Sequence, residues 1–119
     1  MTIEEFINAT IPTTQPNEFG VYAIETTIEV VDERNKELRV RCAYNGKYYM
    51  FGHCWWRGTS GSGSPVSDRY SAKYTDKQSG LIEHLTELLE LKSFAPFAKE
   101  IAEAISKLKC KQLTIFDML

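Results

Sequence analysis

The sequence predicts an α+β fold, with an antiparallel meander of three to four strands and two C-terminal helices packed on one face. Segments with strand periodicity fill the first half of the chain, and their connections are short. The second half repeats leucine, isoleucine and phenylalanine at helical spacing. Consecutive strands with short connections pair antiparallel, and an amphipathic helix buries its apolar stripe against a sheet.

The first predicted element is a short helix over residues 2–9, "TIEEFINA". Thr2 is followed three residues later by Glu5, which is the spacing of a capping box. Pro12 and Pro16 come next and predict a loop, because proline interrupts helices.

Three strands follow in the prediction. Residues 19–31 are mostly β-branched, aromatic or alternating, and a polar turn occupies residues 32–37. Residues 38–44, "LRVRCAY", alternate between apolar and basic side chains. Asn45 and Gly46 then predict a tight hairpin, because both residue types tolerate positive φ. The third strand, residues 47–57, has bulky side chains on both of its faces.

The second half begins with a predicted flexible loop at residues 58–67, "GTSGSGSPVS", and residues 68–75 either add a short strand or lead into a helix. Asp76 or Thr75 is the expected cap of that helix. A second helix starts near Ser93, accommodates Pro96 in its first turn and ends near Lys109. The predicted organisation is one domain over residues 1–110 and a peptide tail over residues 111–119.

Composition narrows the class of protein. The length of 119 residues and a hydrophobic content of 43% fit a single globular domain. The net charge of −2 argues mildly against a nucleic-acid binder, which usually carries a basic excess. Three cysteines are too few for a disulfide framework, and Glu4 and Glu5 stand where an export signal needs basic residues. We therefore expect a cytoplasmic protein with no membrane-spanning segment.

No catalytic constellation, cofactor motif or metal-ligand set is expected. His53 and Cys54 are adjacent on a predicted strand, so they point to opposite faces and do not converge on one ion. The Gly/Ser loop lacks the lysine of a phosphate-binding loop. A non-enzymatic protein is the resulting expectation.

Aromatic residues on the third strand give one functional alternative. Aromatic rings on a sheet, with basic residues between them, can stack the bases of a single-stranded nucleic acid. Rings that form the core and cover both sheet faces explain the same run without any ligand, and the acidic balance of the chain favours that interpretation. The residues of the alternative nucleic-acid-binding face are Tyr49, Phe51, Trp55, Trp56 and Arg57.

The end of the sequence gives the main hypothesis. The residues concerned are Gln112, Leu113, Thr114, Ile115 and Phe116. This "QLTIF" resembles the bacterial sliding-clamp-binding peptide, whose motif is Gln, Leu, Ser or Asp, Leu and Phe. The resemblance implies a protein partner, a DNA replication clamp, that takes up Gln112 in a polar subsite and the apolar side chains in a hydrophobic one.

A packed tail is the alternative, because "LTIF" has high β-propensity and fits a final edge strand or a cap on the core. The body of the chain resembles small uncharacterised proteins of phages and mobile elements in its brevity and its Gly/Ser/Pro loop. The sequence thus favours a bacterial or phage-derived adaptor that docks on a partner through its C-terminal peptide.

Overall fold

The computed structural model describes residues 1–23 and 25–117, with side chains described as far as Cys110. The predicted α+β architecture is confirmed: the strands form one antiparallel sheet in the order β1-β2-β3-β4. The strands are β1 (Thr26–Glu33), β2 (Lys36–Tyr44), β3 (Tyr49–Arg57) and β4 (Ser60–Ser64). The helices are α1 (Ile3–Asn8), α2 (Lys77–Glu90), a 3-10 helix (Lys92–Phe97) and α3 (Ala98–Asp117).

Helix α1 begins with the predicted capping box. The Thr2 hydroxyl accepts a hydrogen bond from the Glu5 N–H at 3.1 Å, and the Glu5 carboxylate accepts one from the Thr2 N–H at 3.0 Å. At the other end, the Lys77 ammonium donates to the carbonyl oxygens of Phe6 and Ala9. A cation at the carbonyl end of a helix is stabilising, so the Lys77 ammonium links the start of α2 to the end of α1.

Strand β1 is shorter than predicted and carries a β-bulge. Residues 19–23 lie before the strand, where Val21 forms an isolated bridge with Ser67. The register shifts between Glu29 and Val31, so that Val31 pairs with Leu38. The extra residue of a bulge reverses the alternation of side chains. Val31 is therefore buried in the core, whereas strict alternation from Ile28 would have placed Val30 there.

The β2–β3 connection is a longer loop than the predicted Asn-Gly hairpin. Tyr44 pairs with Tyr49, which leaves four residues, 45–48, in the turn. The Asn45 side chain accepts hydrogen bonds from the N–H groups of Lys47 and Tyr48, at 2.9 and 2.8 Å. Gly46 has φ +96, whereas Asn45 has negative φ. Asparagine thus closes this turn through its side chain, as in an Asx turn, and only glycine uses the left-handed region.

Strand β4 replaces the flexible loop that the sequence predicted. Arg57 pairs with Ser60, and Gly58 between them has φ +61, as a two-residue hairpin with glycine at its first central position requires. The five residues of β4 are all Gly or Ser and all exposed. Pairing with β3 therefore imposes strand geometry on residues of low β-propensity, and residues 68–75 supply no further strand.

The helices and the sheet share one core, which contains the inward side chains of all but the last strand. Asp76 caps α2 by accepting a hydrogen bond from the Ser79 N–H at 2.8 Å. At Gly80 this helix comes very close to β3, because a Cβ at that position would lie 2.7 Å from Phe51 Cε2 and 2.9 Å from the Tyr74 ring. The helix packs onto the sheet at this distance only because residue 80 has no side chain.

Helix α3 completes the helical layer. Among its side chains as far as Cys110, the buried ones are Ile101, Ala104, Ile105 and Leu108. The Lys36 ammonium donates to the Glu100 carboxylate at 2.7 Å, and the buried Gln78 side chain donates to the Leu108 carbonyl at 2.8 Å.

The predicted end of this helix near Lys109 is wrong, because the backbone remains helical as far as Asp117. A final edge strand within residues 112–116 is likewise not formed. The predicted boundary between body and tail, at residues 110 and 111, falls within α3.

Replacing Gly80 with alanine tests the close approach of α2 to β3. Alanine favours helix by about 1 kcal/mol over glycine, but here its Cβ would meet the Phe51 and Tyr74 rings. We expect Gly80→Ala to lower the free energy of unfolding by about 1–3 kcal/mol, the usual range for overpacking. Urea unfolding measures it. In the Phe51→Leu background, where the closer of the two rings is gone and Tyr74 remains, the same substitution should cost less; an equal loss in both backgrounds would contradict the contact with Phe51.

Candidate functional site

The helices cover one face of the sheet, and the opposite face, named here the open face, carries Glu37, Arg39 and Arg41 of β2 beside Trp56 of β3. Along β3, Phe51 and Trp55 lie on the covered face, since both contact rings from the helical layer. Trp56 has the opposite parity and belongs to the open face. Arg39 pairs with Cys54 and Arg41 with Gly52, so the two arginines lie beside β3 on the open face.

One end of the open face is closed by the loops that flank the sheet. A small second core forms there from Tyr22, Ala43, Met50 and Val66. The Tyr22 N–H donates to the Val66 carbonyl at 3.1 Å, and its hydroxyl donates to Asp68 at 3.2 Å. The other end, toward the β3–β4 hairpin, has no such cover among the described residues.

A shallow groove of about 430 Å³ occupies that uncovered end. Trp56, 50% exposed, lies across β4 at Gly61, where any Cβ would overlap the indole ring. The groove exists because β4 has small residues that let the ring lie flat on the strand. Its other walls come from β2 and include Glu37, Arg39 and Arg41.

Each groove arginine has one distant carboxylate partner. Arg39 lies 3.6 Å from Glu37, and Arg41 lies 3.9 Å from Glu25. Partly exposed ion pairs at such distances are weak. In addition, Arg39 Nε is shielded from solvent and has no hydrogen-bond partner in the described structure. Because the two ion pairs are weak, the terminal nitrogens of both guanidinium groups retain hydrogen-bonding capacity for an anionic or polar ligand.

The five residues predicted for a nucleic-acid face do not share one face. Tyr49 is half-buried and stacks on Tyr44, with ring centroids 4.3 Å apart. Phe51 is only 4% exposed, so its ring belongs to the core and has no free surface for a base. Trp55 packs edge-on against a ring of the helical layer, and Arg57, exposed at the hairpin, shares its parity. Of the predicted set, Trp56 alone presents its ring on the open face.

A second cluster lies between α2 and the covered face of β3. His53 Nδ1 is 3.3 Å from His84 Nε2, within hydrogen-bonding distance, although 31 residues separate the two in sequence. The His84 ring stacks on Phe51 at 5.9 Å, and the His53 ring meets Phe94 edge-on at 5.2 Å. Apolar rings therefore hold both imidazoles in place.

The histidine pair borders a cavity of about 170 Å³ that Glu87 and Tyr70 also line. Burial, together with a smaller contribution from the neighbouring His53, lowers the pKa of His84 to about 4. Burial also lowers the pKa of His53, together with the nearby Arg41 charge. Both imidazoles are therefore neutral at pH 7, so that one nitrogen of the pair donates and the other accepts.

Sequence reasoning missed this pair because it compared His53 with its neighbour Cys54, which points to the other face. A signal was present, however. His53 shares the parity of Phe51 and Trp55, and His84 follows Leu81 by three residues on a helix. Both spacings point toward the helix–sheet interface, although neither predicts that the two rings meet.

The clamp-like residues lie outside the described side chains. These residues are Gln112, Leu113, Thr114, Ile115 and Phe116. Only their helical backbone is described.

Within the described part of the chain, no group of three or more His, Cys, Asp or Glu side chains is arranged to hold a metal ion. No helix among the described residues is long and apolar enough to cross a bilayer.

Comparison with known proteins identifies no relative. No protein-family model matches this chain, and no curated protein or solved structure shows significant similarity to it. Function must therefore be argued from the residues of this chain.

The histidine pair predicts a specific pH dependence of stability. Below pH 6.5 the unfolded chain protonates His84, whereas the folded protein resists protonation until about pH 4. The free energy of unfolding should therefore fall as the pH drops through this window, by about 1.4 kcal/mol per pH unit at most. Urea unfolding at pH 7 and pH 5 should show a larger loss for the natural protein than for His84→Phe, by about 1–2 kcal/mol. Equal losses would contradict the assigned burial of this imidazole.

Proposed function

We propose that this protein is a non-enzymatic accessory protein that docks on a protein partner through the segment formed by residues 112–116. The resemblance of "QLTIF" to the sliding-clamp-binding peptide implies a DNA replication clamp as that partner. We further propose a cytoplasmic setting in bacteria or their phages, in keeping with the same resemblance.

The observation that carries the proposal is the clamp-like sequence itself, with its position relative to the described core. Leu108 is 0% exposed and is the last member of that core along α3. The two residues after it, Lys109 and Cys110, are exposed. The segment thus begins beyond the described part of the core, on a helix whose last carbonyl groups have no partners within the helix.

Docking requires that burial in the partner outweighs the ordering of the segment. Leu113, Ile115 and Phe116 are large apolar residues, and burying such side chains contributes about 25 cal/mol per Å². Helix ends open at far lower free energy than a whole domain. If the partner takes an extended peptide, the last turns of α3 unwind at modest cost, and micromolar affinity is the expected result.

The proposal is tested by comparing the intact chain with a chain that ends at Lys111 in binding to a purified bacterial sliding clamp. We expect micromolar binding by the intact chain, none by the shortened one, and at least a tenfold loss for Phe116→Ala. Surface plasmon resonance measures all three. The matched control is Leu91→Ala, which removes a leucine that is 50% exposed outside the segment. Equal clamp binding by the intact and shortened chains would refute the proposal.

A second candidate function is the binding of single-stranded nucleic acid in the groove of the open face. The observation in its favour is the exposed Trp56 ring beside Arg39 and Arg41. An aromatic plate stacks a base, while guanidinium groups neutralise phosphates. Glu37 and Glu25 oppose it, since each lies near one of these arginines. We therefore expect weak binding with a small salt dependence.

Fluorescence anisotropy with a labelled single-stranded oligonucleotide tests this second candidate. Trp56→Ala should weaken binding by the worth of one stacked base, about 1–3 kcal/mol. Arg39→Ala should weaken it and reduce its salt dependence. The control is Arg69→Ala, an exposed arginine that does not line the groove. If Arg69→Ala weakens binding as much as Arg39→Ala, the affinity is a diffuse charge effect and the groove is not the site.

A further inference from the structure

Both histidines of the chain meet at one point, and neither proposed function uses them. The sequence contains two histidines in all, one on β3 and one on α2. Their facing nitrogens, His53 Nδ1 and His84 Nε2, lie 3.3 Å apart. Phenylalanine rings surround this contact, and apolar side chains would fill it without any polar atom to satisfy. Two imidazoles there must satisfy each other's hydrogen bonds, because burying an unpaired polar group is costly.

The separation of the two nitrogens matches the distance between two nitrogen ligands bound to one tetrahedral metal ion. Zinc binds imidazole nitrogen at about 2.0–2.1 Å, so two nitrogens on one tetrahedral ion lie about 3.3 Å apart. Imidazole nitrogen is a common zinc ligand, and the rings of Phe51 and Phe94 hold the two imidazoles in place at this separation. To free both facing lone pairs, one ring moves its proton to its other nitrogen, with no net loss of a proton.

The surroundings provide further oxygen ligands and favourable charge. Glu87 lines the same cavity and follows His84 by three residues, which places both on one side of α2. Burial raises the pKa of Tyr74, another cavity residue, and the charges of Glu87 and Glu83 raise it further, so their negative charge reaches this region. A volume of about 170 Å³ leaves room for water ligands beside the two rings.

We propose that His53 Nδ1 and His84 Nε2 form a binding site for a zinc-like divalent ion, with Glu87 and water completing its coordination. The described residues contain no group of three ready ligands, so Glu87 must change its side-chain rotamer to join the site. Two imidazoles and a carboxylate are a ligand set that late first-row transition ions prefer. Magnesium and calcium, which favour oxygen ligands alone, are excluded as natural occupants.

Zinc titration of the full-length protein by isothermal calorimetry tests the site. We expect one ion per chain, and a loss of affinity of at least about tenfold in His53→Phe and in His84→Phe, since even outer-shell partners of a metal contribute that much. Phenylalanine preserves the ring packing on Phe94 and Phe51. Glu87→Gln should weaken binding several-fold, whereas Glu90→Gln, the matched control on an exposed position of the same helix, should bind zinc like the natural protein.

Cobalt substitution separates this site from adventitious binding by thiols. The cobalt-loaded protein should show the visible bands of nitrogen and oxygen ligands without a thiolate charge-transfer band. If a histidine variant does not fold, this spectrum and the Glu87→Gln titration test whether the ion binds at the histidine pair. The proposal is overturned if the natural protein takes up no zinc at millimolar concentration, if both histidine variants bind as it does, or if the cobalt spectrum contains the thiolate band.

Discussion

The close contact between α2 and β3 at Gly80 is the constraint on which the rest of the structure depends. With no side chain at residue 80, the helix lies directly against the rings of Phe51 and Tyr74. The leucines that follow at helical spacing, Leu81, Leu85 and Leu88, are then buried. His84 lies one turn beyond Gly80, so the same approach brings its ring onto Phe51 and within reach of His53. Core packing and the histidine pair thus have one geometric cause.

The described helices all pack on one face of the sheet, and the open face is therefore the one that is free to bind a ligand. The open face is not left bare along its whole length, because Tyr22 and Val66 cover the end near the β2–β3 loop. The remaining end is a groove floored by β4, where glycine allows Trp56 to lie across the strand. The features proposed for function are therefore spatially separate: a groove on the open face, a histidine pair under α2, and a clamp-like segment at the end of α3.

Local rules predicted the elements whose structure is determined locally. The Thr2–Glu5 capping box and the alternation of β2 depend on near neighbours, and both are confirmed. The leucine stripe predicted for α2 is confirmed at Leu81, Leu85 and Leu88, whereas Leu89 is 38% exposed. The bulge after Glu29 and the strand of Gly and Ser residues after Gly58 depend on pairing with a neighbouring strand, which residue propensity does not report. The sequence showed aromatic and basic residues on β3, and strand parity separates Phe51 from Trp56, but which of the two faces is covered depends on where the helices pack. The meeting of His53 and His84 depends in the same way on the docking of α2.

The most direct test of this account is a nuclear Overhauser spectrum of the folded protein, read for contacts of the Gly80 Hα protons. The account predicts strong cross-peaks to the ring protons of Phe51 and Tyr74, because a Cβ at that position would lie within 3 Å of both rings. Gly80 Hα protons without cross-peaks to either ring would mean that α2 does not rest on β3 at this point. The shared origin of the core and the histidine pair would then be contradicted.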